Sequence, residues 1–128
     1  MTMLTQLLPN EPNMNIACFG LVEEELEVLN NLGSNIFHLE DYNVKRLSFG
    51  TEFFETIIIR SDEVALSSKV AFQLKKALQK NRHLLLFTDE SLDKIIEIYE
   101  PHGFSNFSEI EHEGKRVVIF KKWFILQG

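Results

Sequence analysis

Three places in the 128-residue chain hold residues of the kinds that bind ligands or carry out reactions. The first is Gly20, which closes the apolar run Met-Asn-Ile-Ala-Cys-Phe-Gly at 14–20, where a strand gives way to a helix. A turn that cradles a phosphate or an adenosyl group needs several glycines there, so that the backbone can bend tightly and approach the ligand. Gly20 stands alone, followed by Leu21, Val22 and three glutamates. The second place is Glu40 and Asp41, which leave a second strand. They could hold ribose hydroxyls at the carboxyl edge of a sheet, but Glu-Asp-Tyr-Asn leaving a strand favours a turn regardless of function, and the turn is the preferred reading. The third is Ser61 and Asp62, leaving a further strand at the same edge. They could contact a substrate, and either also serves as a helix N-cap.

Other chemistries find no carrier. His38, His83, His102 and His112 show no His-x-His or His-x-x-x-His spacing and no carboxylate at a metal-ligand interval, so no metal site is expected. Cys18 is the only cysteine; it excludes an internal disulfide, and in an apolar strand it reads as a small core residue. There is neither a Gly-x-Ser-x-Gly element nor a phosphate-binding Gly-Lys-Ser/Thr loop.

The elements that position these residues follow from hydrophobic periodicity. Strands are expected at about 14–19, at 36–39, at 53–59 and at 82–87, with 45–49 a possible short strand. Asp41 to Val44 is too short a gap for a parallel crossover, so a strand at 45–49 would run antiparallel or lie outside the main sheet. Val22, Leu26, Leu29 and Leu32 share one face of a helix that Gly33 stops. Leu66, Val70, Leu74 and Leu78 form the row of a second helix over 64–80, and Leu92, Ile95, Ile96 and Tyr99 that of a third. Residues 104–112 and 116–126 read as a hairpin turning at Glu113-Gly114. Residues 1–13, with Pro9 and Pro12, form an N-terminal extension, and 14–128 one α/β domain with three layers: a Rossmann-like, mainly parallel sheet and an antiparallel C-terminal hairpin.

Composition agrees with a soluble protein: 45% hydrophobic, 25% charged, with no apolar run near the roughly 20 residues of a membrane span. No signal peptide is evident, and the expected location is the cytoplasm. The net charge of −6 is uneven, with 3 Lys/Arg against 11 Asp/Glu in residues 1–64. That balance argues against nucleic acid as the main partner.

Phe54-Glu55-Thr56-Ile57-Ile58-Ile59, Arg82–Phe87, a helix ending in Gly103-Phe104, and Val117-Val118-Ile119-Phe120-Lys121 follow one another in a recognisable order. Over residues 53–122 this resembles the carboxyl-terminal half of the S-adenosylmethionine-dependent methyltransferase fold, with its fourth and fifth strands and its last strand, which runs antiparallel inside the sheet. In that family a run of glycines follows strand one, and only Gly20 matches it. An acidic residue ending strand two grips the ribose, and Glu40 or Asp41 stands there. The resemblance makes Gly20, Glu40, Asp41, Ser61 and Asp62 a vestigial cofactor site. It implies a methyltransferase-like protein that has lost the glycine loop and works without a cofactor, as a non-catalytic binding or assembly module. The alternative is a minimal S-adenosylmethionine-dependent methyltransferase. Phe72 lies opposite the apolar row of its helix, and the tail Trp123-Phe124-Ile125-Leu126 is unusually apolar. Phe72, Trp123, Phe124 and Leu126 are therefore expected to form the interface of a twofold homodimer.

Overall fold

Strands buried on both faces need near-continuous apolar sequence, and the chain spends its isoleucines and leucines accordingly. A computed structural model describes residues 13–33, 35–112 and 115–122. Six strands form one sheet in the order β2-β1-β3-β4-β6-β5. β1 (Asn15–Phe19) lies parallel between β2 (Asn35–His38) and β3 (Phe54–Ile59). β4 (Leu78–Phe87) continues the parallel set. β6 (Lys115–Lys122) runs antiparallel between β4 and the outer strand β5 (Phe104–His112). Ile57, Ile58 and Ile59 in β3 and Leu84, Leu85 and Leu86 in β4 are buried at the centre.

The chain steps from β1 to β2 in one direction and returns past β1 to β3 in the other. Right-handed crossovers then put the helix that follows β1 and those that follow β3 on opposite faces. α1 (Glu23–Asn31) covers one face through Leu29, against Ile16, Ile58, Leu85, Phe87, Val117 and Ile119. α2 (Asp62–Ala65), α3 (Ser68–Ala77) and α4 (Leu92–Tyr99) cover the other, against Ala17, Ile57, Ile59, Leu84, Leu86, Val118 and Phe120. The result is the three-layer, mainly parallel α/β architecture with an antiparallel C-terminal pair. Among the described residues, no helix is long and apolar enough to cross a membrane.

One expectation needs correction, and one open point is answered. The helix expected over 64–80 is two helices, and Leu78 belongs to β4. Ser67 breaks the helix by accepting the Val70 N–H on its hydroxyl at 3.3 Å, which starts a new helix. Leu78 is extended and fully buried opposite Phe54, and the Lys122 ammonium donates to its carbonyl. β4 then advances five positions, from Leu78 to His83, where β3 advances two, from Phe54 to Thr56, with Asn81 at φ +63°. That bulge hid the strand's start, because its polar residues read as the end of a helix.

The open point is 45–49, which is turn, bend and irregular backbone, not strand. The Leu47 N–H goes to the Gln73 side chain at 3.0 Å instead of a neighbouring strand. The segment is held by rings: Phe37, Tyr42, Phe49, Phe53 and Phe54 pack mostly edge to face, with neighbouring centroids between 4.9 and 5.6 Å apart. The turn at Glu113-Gly114, the extension before residue 13, and Trp123, Phe124 and Leu126 lie outside the described residues.

Candidate functional site

In open α/β sheets a crevice forms beyond the carboxyl ends of the strands where the chain reverses its direction of travel. Here that point lies between β1 and β3. Phe19 ends β1, its carbonyl accepts the Arg60 N–H at 2.8 Å, and Gly20 turns away with φ +75°. A Cβ at Gly20 would collide with the Arg60 carbonyl, so the glycine is required both by its backbone conformation and by this contact.

Glu40 reaches this turn from β2. Fully buried Leu39 anchors the 3-10 turn Leu39–Asp41, and the Glu40 carboxylate accepts the Gly20 N–H at 2.7 Å. The structure thus brings together two residues that lie twenty positions apart in sequence. Glu40 is exposed and makes no other hydrogen bond among the described residues. Asp41 is exposed beside it. Ser61 and Asp62 lie beyond the end of β3, and both have structural partners. The Ser61 hydroxyl accepts the Val64 N–H at 3.3 Å as the cap of α2. The Asp62 carboxylate accepts the hydroxyl of fully buried Thr88, whose oxygen accepts the Glu90 N–H at 3.1 Å. Together they tie the loop after β3 to the loop after β4.

A charged pair that periodicity did not single out crosses the same edge. Arg60, the residue after β3, aims the Nε and Nη2 edge of its guanidinium at both oxygens of Glu25, with Nε to Oε1 at 3.2 Å. The Glu25 Oε1 also accepts the Val22 N–H at 3.0 Å in the first turn of α1. The guanidinium lies over the Phe87 ring, 4.4 Å from its centroid. Glu25 is only 9% exposed, although Glu23, Glu24 and Glu27 around it face solvent. The one sequence signal was the arginine itself, a charge directly after a fully apolar strand end.

Cys18 is buried with its sulfur 3.8 Å from His38 Nδ1. Burial, and secondarily the Glu40 charge, push its thiol up to about 12, so it is a core residue and not a nucleophile at neutral pH. On the opposite side of the sheet from α1, Phe72 is 45% exposed, with the Lys76 ammonium 5.3 Å from its ring centroid and the His102 ring at 6.0 Å.

No family profile matches the chain, and no curated protein matches it in sequence. Its fold, however, is that of known structures. An S-adenosylmethionine-dependent methyltransferase from Aquifex aeolicus superposes with a TM-score of 0.71 at 12% identity, covering 93% of this chain and 87% of the other. A TehB-like S-adenosylmethionine-dependent methyltransferase from Corynebacterium glutamicum gives 0.69 at 10% identity, over 93% and 84%. The geranyl diphosphate C-methyltransferase of Streptomyces coelicolor, in complex with Mg2+, geranyl diphosphate and S-adenosyl-L-homocysteine, gives 0.73 at 6% identity, over 94% and 76%.

The class defined by sheet order and helix placement is the Rossmann-like α/β proteins. Within it, the chain has the S-adenosylmethionine-dependent methyltransferase fold. These neighbours overturn the expectation of a protein without a cofactor: they depend on S-adenosylmethionine, and one holds its demethylated product. The lone Gly20 was too narrow a basis for that expectation, because the acidic residue after β2 is an independent part of such a site.

Proposed function

We propose that the chain is a methyltransferase-like domain that binds an S-adenosyl ligand at the carboxyl ends of β1 and β2, with Glu40 gripping the ribose. The observation behind this is the exposed Glu40 carboxylate, steadied by the Gly20 N–H at the end of β1. An ionised carboxylate only accepts hydrogen bonds, which suits a pair of ribose hydroxyls, and here it is already oriented. The residues present therefore fit the ribose end of the ligand. When bound, S-adenosylmethionine supplies an electrophilic methyl group on a positively charged sulfur; the residues of this chain hold and orient it. Calorimetric titration with S-adenosylmethionine and S-adenosylhomocysteine tests the reading. Saturable binding at micromolar ligand is expected, weakened about tenfold or more in Glu40→Ala by loss of charge-assisted hydrogen bonds. Heat-silent titrations up to millimolar ligand, with no shift in melting temperature, would sink it.

A second reading keeps the ligand and drops the methyl transfer, making the domain a binding or assembly module. It is favoured by Leu21, Val22 and the Glu25–Arg60 pair, which present side chains where a glycine loop would present bare backbone. Methyl-labelled S-adenosylmethionine discriminates the two. Label passing to any component of a dialysed cell extract favours the enzyme, and tight binding without transfer favours the module. In either case we propose a twofold homodimer, supported by the exposed Phe72 ring.

A further inference from the structure

We infer that Glu25 is a resident stand-in for a ligand carboxylate, and that S-adenosyl ligands carrying an amino-acid end bind by displacing it from Arg60. The inference rests on the ribose-site reading above and adds the second anchor of the same ligand. Arg60 forms the wall of the crevice: its N–H meets the Phe19 carbonyl, and its own carbonyl fills the space where a Gly20 Cβ would stand. Its guanidinium carbon lies 4.4 Å from the centre of the Phe87 ring, and the hydrogen-bonding edge is turned to Glu25. Nε and Nη2 together make the two-pronged donor that matches a carboxylate, and both prongs are taken by the two oxygens of Glu25.

The same Glu25 oxygen that takes Nε also takes the Val22 N–H, at the end of α1 where the backbone favours negative charge. Two anion-recognising devices therefore converge on one intramolecular carboxylate, beside the turn where the ligand's amino-acid end would extend from a ribose on Glu40. Glu25 is replaceable in a way a core residue is not. It sits in the first turn of a surface helix, its side chain keeps 12% of its exposure and that of Arg60 keeps 24%, and its neighbours Glu23 and Glu24 are already in water. With those exposed glutamates and Glu40 nearby, an incoming carboxylate meets like charge, which Arg60 offsets. Affinity for the amino-acid end is thus set by competition with Glu25. The adenosine end is outside that competition.

S-adenosylhomocysteine and 5′-methylthioadenosine separate the two ends, since both carry the adenosine and only the first carries a carboxylate. Glu25→Gln keeps an acceptor for the Val22 N–H but frees Arg60 of its charged partner. It should raise S-adenosylhomocysteine affinity about tenfold and leave 5′-methylthioadenosine within about twofold. Arg60→Met should weaken the first ligand and spare the second. In the unaltered protein, the Arg60 Nε–H signal in a nitrogen-proton correlation spectrum should move with saturating S-adenosylhomocysteine and stay in place with 5′-methylthioadenosine, which decides the matter even where Glu25→Gln fails to fold. An Nε–H signal unmoved by bound S-adenosylhomocysteine, or an unchanged affinity ratio in Glu25→Gln, overturns the inference while 5′-methylthioadenosine binding leaves the ribose site standing. If neither compound binds, the ribose site falls and this inference with it.

Discussion

Gly20 and Gly33 both sit at positive φ, +75° and +76°, yet they answer to different constraints. Nothing lies within 4 Å of a Cβ built on Gly33, whereas one on Gly20 runs into the Arg60 carbonyl. Gly33→Ala should therefore cost only the conformational penalty of a left-handed residue, about 1–2 kcal/mol. Gly20→Ala should cost clearly more, because it also pushes β1 and β3 apart, and urea unfolding of the two variants measures the difference. At this scale the positions of the candidate residues were partly legible. Gly20 and Glu40 could be read because each ends a strand, and strand ends are visible as apolar runs stopping. Glu25 was hidden in a run of acids, and its partner lies thirty-five residues on, so only the packing of α1 against the sheet reveals which glutamate is buried. His83 carries a further residue-level consequence. Burial first, then the charges of Lys121 and Arg82, hold its imidazole below the usual value of 6.5. The unfolded chain then takes up a proton near pH 6.5 while the folded one does not, so stability falls as pH drops through that value and levels off below the folded-state pKa. His83→Gln should lose less stability between pH 7 and pH 5 than the parent, as read by denaturant unfolding at each pH.

Elements whose periodicity was uninterrupted were legible; those defined by one polar side chain were not. α1 and α4 stand close to where their apolar rows placed them, ended by Gly33 and by the Pro101-His102-Gly103 sequence. The break between α2 and α3 turns on the single hydroxyl of Ser67, in a stretch whose apolar row runs on across it. Ser67→Ala should remove the cap and destabilise the protein by about 1 kcal/mol. Thermal unfolding followed by circular dichroism would show this as a lowered midpoint, and Ser67→Asp, which restores an acceptor, should recover it. Whether 45–49 forms a strand could not be read from the sequence for a related reason. Its alternation was real, but Leu47 spends its apolar side chain on the core and its N–H on Gln73, which satisfies both needs without a ladder.

At the scale of the fold, among the described residues, one helix covers one face of the sheet while three cover the other, and Phe72 stands exposed on the outer side of α3. Light scattering should give about twice the 14.9 kDa of one chain. Phe72→Ala and Trp123→Ala should shift the mass toward one chain at lower concentration, each losing roughly 1.5–3 kcal/mol of buried apolar surface, while Glu24→Ala should not. A mass near one chain at every concentration would mean that Phe72 is simply an exposed ring.

Because 45–49 does not add a strand, β2 is one border of the sheet and β5 the other among the described residues. Open borders invite chains to stack into fibrils, and each border here is poorly suited to it. β2 is four residues long, too short to template a growing ladder, and the ring cluster around Phe37 braces one side of it. β5 shifts register between Asn106 and Ser108 and carries Glu109 and Glu111 along its length. Short, charged and irregular borders of this kind are expected to nucleate amyloid less readily than a flat, regular one, and thioflavin fluorescence during prolonged incubation would check this.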